Sequence, residues 1–210
     1  MIRAGLLVML SVNYISANVY FDWRYFLVPF TNWTLFVTTL SIMSSFYAAS
    51  EPHYFKSFNQ WIFIRSKKGD SDAVKAQFKK AKNLQLIHHV LYSLSILMNL
   101  FVVIIYWFIL HKGQMEKHKD FPGRIFHLYY VHSTPAFACL VNSYITNCVL
   151  NKDFWKIIPV ISTVYYVVLF VQIQTTGKIL YFFITFRDIW TPIAYFTSNF
   201  GMILVYKLLR

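Results

Sequence analysis

LIHHVLYSLSILMNLFVVIIYWFIL, residues 86–110, is a run of 25 residues without Asp, Glu, Lys or Arg. A helix rises 1.5 Å per residue, so about 20 apolar residues cross a hydrocarbon core of about 30 Å. The run therefore reads as a transmembrane helix, and it sets the class of the whole chain. Five further segments read the same way: 4–20, 25–47, 124–150, 155–173 and 191–209. The expected fold is an all-α integral membrane protein, one six-transmembrane-helix bundle over residues 1–210. The first span is the shortest and most polar, with Ser11, Asn13, Ser16 and Asn18. Its basic residue Arg3 ahead of apolar residues also resembles a signal peptide, but we read it as a retained helix. The stretch 174–190 is itself aromatic and reads as a loop that dips back toward the membrane.

Composition agrees. Hydrophobic residues make up 57% of the chain and charged residues only 13%, about half the usual share in a soluble domain. Mean hydropathy is +0.47. The net charge of +12 is carried between apolar runs, not in a stripe with exposed aromatics, so it points to anionic lipid headgroups and not to nucleic acid. Cys139 and Cys148 lie about 13 Å apart on one helix, too far for a disulfide, and read as packing residues.

Loop charge gives the orientation. With six spans, one side carries 13 Lys and Arg and the other carries 7, so the positive-inside rule puts both termini in the cytoplasm. The cytoplasmic loop 48–85 contains an amphipathic pattern. Ser71 or Asp72 could cap a helix with Val74, Phe78 and Ala81 on one face and Lys75, Lys79 and Lys82 on another. That pattern suits either a helix lying on an anionic leaflet or a solvated connector into the third span. Residues 66–72 read as a flexible kink. The sequon Asn32-Trp33-Thr34 falls inside a span, which argues against glycosylation. No Walker loop, nucleotide-binding glycine pattern or CxxC metal spacing occurs, so no cofactor or metal is expected.

Polar residues inside apolar spans are costly and mark candidate function. Thr31 follows Asp22 by nine residues, about 13 Å into the membrane, and His132 follows Gly123 by nine residues, again about 13 Å deep from the same side. A hydroxyl beside an imidazole is the minimal nucleophile–base pair for attack on a carbonyl. Each residue also has a plain structural reading. Thr in a transmembrane helix commonly bonds its own i−4 carbonyl, and a neutral His commonly bonds across helices. A backbone carbonyl, Asn142 or Tyr130 could orient the imidazole. Span interiors carry no Asp or Glu, which removes support for proton relays and cation channels. His88 and His89 raise haem ligation, but they are not level with His127 or His132 and read as interfacial.

These residues carry a resemblance. Asp22-Trp23-Arg24-Tyr25-Phe26 with Phe30-Thr31-Asn32-Trp33, the segment Tyr130-Val131-His132-Ser133-Thr134-Pro135, and Thr176-Gly177 followed by Tyr181 and Phe183 occur in the order and spacing of one family. The layout resembles the androgen-inducible and rolling-stone-like multi-pass endomembrane proteins, some of which are threonine-dependent lipid hydrolases. The resemblance implies Thr31 as nucleophile and His132 as base. It implies a substrate-binding loop with Thr176, Gly177 and Tyr181, and a lipid ester substrate such as a fatty acid ester of a hydroxy fatty acid. It favours an endomembrane address, the endoplasmic reticulum or plasma membrane. Arg3 ahead of an acid-free stretch up to Asp22 also suits a mitochondrial inner-membrane address.

The rival class is a non-catalytic accessory or structural subunit of a larger membrane complex, with membrane lipids and partner subunits as its contacts. A transporter would need paired repeats and broken helices, and neither is visible; Pro135 and Pro192 read as isolated kinks.

Overall fold

The computed structural model describes residues 1–20, 29–50, 72–146, 150 and 153–209, and of 48–50, 72–82 and 85 the backbone alone. The segment 22–26, the kink up to residue 71, Cys148 and the side chains of the amphipathic pattern lie outside the described side chains. The described residues form six helices and no strand. Helix α1 is Ile2–Tyr20 and α2 is Phe30–Ser50. Helix α3 is one rod made of Asp72–Ile104, a π-helical turn at Ile105–Leu110, and His111–His118. Helix α4 is Pro122–Thr146. Helix α5 is Ile158–Thr176, entered through a 3-10 turn at Phe154–Ile157, and α6 is Trp190–Leu209.

Three of these stretches are long and apolar enough to cross a membrane: Ile2–Tyr20, Leu86–His118 and Phe154–Thr176. The expectation of six spans is therefore met in part. The other three helices are diluted by polar side chains, and the direction those side chains face is informative. On α2, Thr34, Thr38, Ser41 and Ser45 are buried while Phe36, Met43 and Phe46 are exposed. On α4, Asn142 is buried while Phe137, Leu140 and Tyr144 are exposed. A water-soluble helix keeps its polar side chains outward; these helices bury polar residues beside Leu35, Ile42 and Ala138 and expose large apolar ones.

Helix α3 also continues past residue 110, where the apolar run ends. Lys112, Gln114, Met115, Glu116 and Lys117 are all good helix formers, so the rod extends two further turns. It stops where the Phe121 amide bonds the His118 carbonyl at 2.9 Å and Pro122 opens α4. Proline suits that position because the first helical amides need no intrahelical acceptor. Gly123 lets the Tyr20 side chain at the end of α1 approach closely: a Cβ here would stand 2.5 Å from its hydroxyl and oblige that side chain to shift. Pro192 lies in the first turn of α6 and is no mid-helix kink, whereas Pro135 is inside α4 and deprives the Val131 carbonyl of its i+4 amide.

Helices α1 to α4 pack together as one group; α5 and α6 pack on each other, and α6 leans on α3. A spine of polar contacts runs through the first group. Asn99 Nδ2 donates to Thr38 Oγ1 and to the Ser95 carbonyl, both at 2.7 Å, and Ser95 Oγ reaches Ser41 Oγ at 3.4 Å. Asn142 Nδ2 donates to Ser45 Oγ at 3.1 Å, and Arg3 Nε donates to Asn142 Oδ1 at 3.2 Å. His88 and His89 are buried within the bundle, and His88 Nδ1 lies 2.8 Å from Ser44 Oγ. In lipid, where apolar burial gives helices little reason to associate, such contacts and close packing supply the association.

The α5–α6 pair meets this group along two apolar seams. One joins Phe30 and Val102 to Tyr165, Leu169 and Ile184; the other joins Leu97 to Ile158, Met202 and Tyr206. Between the seams the helices part and leave a cavity.

Candidate active site

The cavity encloses about 610 Å³, within the range typical of small-molecule sites. Its walls come from the start of α2, the second half of α3, α4, α5, α6 and the loop between α5 and α6. Most of its lining is aliphatic or aromatic. At one end stand Gln114, Lys117, His118 and Arg124, and no Asp or Glu lines it among the described residues.

Thr31 and His132, predicted as nucleophile and base, both line this cavity. The hydrogen-bond ladder explains why they share a level. Helices α2 and α3 run antiparallel, with Ser95 opposite Ser41 and Asn99 opposite Thr38. Seven residues, about two turns, beyond Asn99 brings α3 to Tyr106 and the same step back brings α2 to Thr31. Tyr106 in turn stacks flat on His132, with ring centroids 3.6 Å apart and planes 6° from parallel. The three side chains therefore occupy one layer of the bundle.

The Thr31 residue is 9% exposed, and among the described residues its hydroxyl makes no hydrogen bond. It departs from the neighbouring Thr34 and Thr38, whose hydroxyls bond the Phe30 and Thr34 carbonyls at 3.0 and 2.7 Å. Thr31 is the second residue of α2 and makes no such back-bond among the described residues. No hydrogen bond joins Thr31 to His132 in this ligand-free state. His132 Nδ1 lies 2.7 Å from the Leu128 carbonyl. A carbonyl only accepts, so Nδ1 carries the proton and Nε2 keeps its lone pair. That is the tautomer a general base needs. Of the three orienting groups considered for the imidazole, the backbone carbonyl takes the role; Asn142 is tied to Ser45, and the Tyr130 hydroxyl donates to the Met9 carbonyl at 3.2 Å.

The structure brings one of the three expected loop residues to the cavity. Tyr181 lines it, and the Tyr181 hydroxyl accepts from the Phe30 amide at 3.4 Å and from the Tyr165 hydroxyl at 3.1 Å. Burial pushes its phenol above the ordinary tyrosine range, so it stays neutral and holds the free amide at the start of α2. Thr176 and Gly177 are not at the cavity wall. Gly177 ends α5 in the left-handed region at φ 68°, its amide bonding the Ile173 carbonyl at 2.8 Å. Thr176 Oγ1 donates to the Gln172 carbonyl at 2.7 Å and accepts from Gln172 Nε2 at 2.9 Å. This pair turns the chain ahead of Tyr181.

Two further cavity residues were not anticipated from sequence. Tyr106 is 2% exposed and Ser162 is 5% exposed, and neither hydroxyl has a hydrogen-bond partner among the described residues. In an apolar run, Tyr and Ser read as packing residues, and nothing in the spacing separates them from the others. No family model, curated protein or solved structure matches this chain.

Proposed function

We propose that this chain is a multi-pass membrane enzyme that hydrolyses a lipid ester, with Thr31 as nucleophile and His132 as general base. The observation that carries the reading is the shared cavity. An otherwise unbonded Thr hydroxyl and an imidazole with a free Nε2 line one largely apolar chamber of about 610 Å³. Nε2 takes the Thr31 proton as Oγ1 attacks the acyl carbonyl carbon, and the carbonyl electron pair moves to its oxygen. Collapse expels the alkoxide, which takes the proton from the imidazolium. Water, activated by the same Nε2, then frees the acid and restores Thr31. The closeness of the site to membrane depth suits a substrate that partitions into lipid. Lys117 and Arg124 at one end suit an ester that also carries an acidic group, such as a fatty acid ester of a hydroxy fatty acid.

The same reading takes α2, α4 and α6 as spans too, which makes six, with both termini cytoplasmic and an endomembrane address. Their support is the apolar outer surface of these helices, since exposed Phe36, Phe137, Phe196 and Phe200 have a favourable neighbour in lipid and an unfavourable one in water.

The test is labelling of the detergent-purified chain by a fluorophosphonate probe, with Thr31→Ala and His132→Ala alongside. Labelling lost in both variants supports the hydrolase. A folded wild-type chain that takes no label overturns it and leaves the accessory-subunit reading in front.

A further inference from the structure

The cavity is long and thin, with its charge gathered at one end. Leu97 and Lys117 on α3 both line it, as do Trp190 and Val205 on α6. At 1.5 Å per residue these pairs stand about 30 and about 22 Å apart along their helices. A volume of about 610 Å³ drawn out over such a length averages about 20–30 Å² in section, the width of one hydrocarbon chain and too narrow for two. The walls along that length are apolar, from Leu97, Met202 and Val205 through Val102 and Ile105 to Leu128.

The end far from Leu97 holds Gln114, Lys117, His118 and Arg124. They meet because the chain reverses there: the Phe121 amide bonds the His118 carbonyl and the Arg124 amide bonds the Phe121 carbonyl, both at 2.9 Å. His118 is 7% exposed, and neither its ring nor the Lys117 ammonium makes a hydrogen bond or ion pair among the described residues. Glu116 and Asp120, the acids nearest in sequence, are exposed and do not line the cavity. Helical side chains lean toward the N-terminus of their helix, so Lys117, near the end of α3, leans back toward the chamber. Two cations and an imidazole donor at the end of an apolar tube match an anion on the end of a hydrocarbon chain. The flank supplies the way in. Ile104 and Ile109 on α3 and Trp190 and Ile193 on α6 line the cavity and are also exposed, so the gap between these helices opens sideways onto the apolar surface of the bundle.

We infer that the chamber binds a single-chain anionic amphiphile taken from the bilayer. Its carboxylate or phosphate head lies between Lys117, His118 and Arg124, and its chain runs along α3 toward Leu97 and Met202. Binding of this free acid goes beyond the hydrolase reading and needs no reaction at Thr31.

The test is equilibrium binding to the full-length chain in dodecyl maltoside, with tritiated oleate and tritiated oleoyl lysophosphatidate as probes. Saturable binding of at least one probe is expected, and the tighter of the two names the head group. Oleyl alcohol, which lacks the charge, and dioleoyl phosphatidate, which has two chains, are each expected to compete about 10-fold more weakly or worse. Lys117→Gln is expected to weaken the probe about 10-fold, and Lys117→Gln with Arg124→Gln further, since each removes a charge-assisted hydrogen bond. Lys117 is exposed, so its single variant keeps the fold, which circular dichroism checks. No saturable binding of either probe to the folded wild type overturns the inference. So does competition by oleyl alcohol or dioleoyl phosphatidate equal to that of the probe, or wild-type affinity in both variants. Fluorophosphonate labelling of the same preparation reads Thr31 separately. A wild type that labels without binding either probe overturns this site alone, and one that binds without labelling overturns the hydrolase alone.

Discussion

The level shared by Thr31, Tyr106 and His132 depends on the register of α2 against α3, and that register hangs on the Asn99–Thr38 contact. Asn99 is 4% exposed, Thr38 is fully buried, and the Nδ2–Oγ1 distance is 2.7 Å. The perturbation is a double-mutant cycle of Asn99→Ala and Thr38→Val. Each partner keeps a second bond when the other is removed. Asn99 Nδ2 still donates to the Ser95 carbonyl, and Thr38 Oγ1, absent its partner, still donates to the Thr34 carbonyl. Neither single variant therefore strands a buried polar group, and the cost of an orphaned donor does not arise. What remains is the interhelical bond itself, which in membrane proteins averages about 0.6 kcal/mol and reaches about 1.7 kcal/mol. The short distance and complete burial place the expected coupling in the upper half of that range, about 1–1.5 kcal/mol. Reversible unfolding in mixed detergent micelles, followed by far-UV circular dichroism, reads all four stabilities. A coupling near zero, with both single variants folded, would refute the register and with it the alignment of Thr31 with Tyr106.

Other consequences are simpler to check. Gly177→Ala meets no steric neighbour but must hold a left-handed φ of 68°, so it should lose about 1 kcal/mol and a few degrees of melting temperature, whereas Gly177→Asn should lose less. Ser162→Ala removes a buried hydroxyl that has no partner; fluorophosphonate labelling should persist and stability should hold or rise, and loss of labelling would move the nucleophile from Thr31 to Ser162. Thr31→Ser keeps the attacking oxygen and should retain labelling that Thr31→Ala loses. Tyr181→Phe deprives the Phe30 amide of its acceptor and should cost about 1 kcal/mol in thermal unfolding, with a larger loss of turnover than Gly177→Ala because Thr31 is the next residue.

The helical class was legible in residues 86–110, because charge-free length needs no tertiary information. The positions of the helices were legible for the same reason, apart from the ends. Residue 110 looked like an end since apolarity stops there, but helix formation depends on backbone bonding and continues through Lys112 to Lys117. Thr31 and His132 were visible as a pair because the depth of a residue in a helix follows from counting along it. Which face each presents does not follow from that count. The same limit hid Tyr106. Its importance comes from a π-helical turn that no residue type announces, and from a stack with a residue 26 positions away. In the Thr176-Gly177 segment the chain turns at Gly177, and of the three loop residues Tyr181 lines the cavity.

Of the polar residues that lower the hydropathy of α2, Thr31 and Asn32 line the cavity while Thr34, Thr38, Ser41 and Ser45 lie along the helix beyond it. A buried hydroxyl away from water must find a partner in the protein or remain costly. Along α2 the solution changes with depth. Thr34, Thr38 and Ser45 bond the carbonyl four residues before them, and Thr38 and Ser45 also accept from Asn99 and Asn142. Thr31, one residue into the helix, has neither arrangement among the described residues and opens onto the cavity. Tyr106 and Ser162, also in the cavity wall, carry fully buried hydroxyls that have no partner among the described residues. A chain selected for stability alone would place Val, Phe and Ala at these three positions, since all three shapes fit an apolar wall. Of the three, Thr31 is the one whose hydroxyl is not among the fully buried atoms, and under the proposed reading a ligand beside the imidazole in its basic tautomer completes its hydrogen bond. An ester carried on hydrocarbon chains, the substrate proposed above, would bring an oxygen acceptor into that largely apolar space.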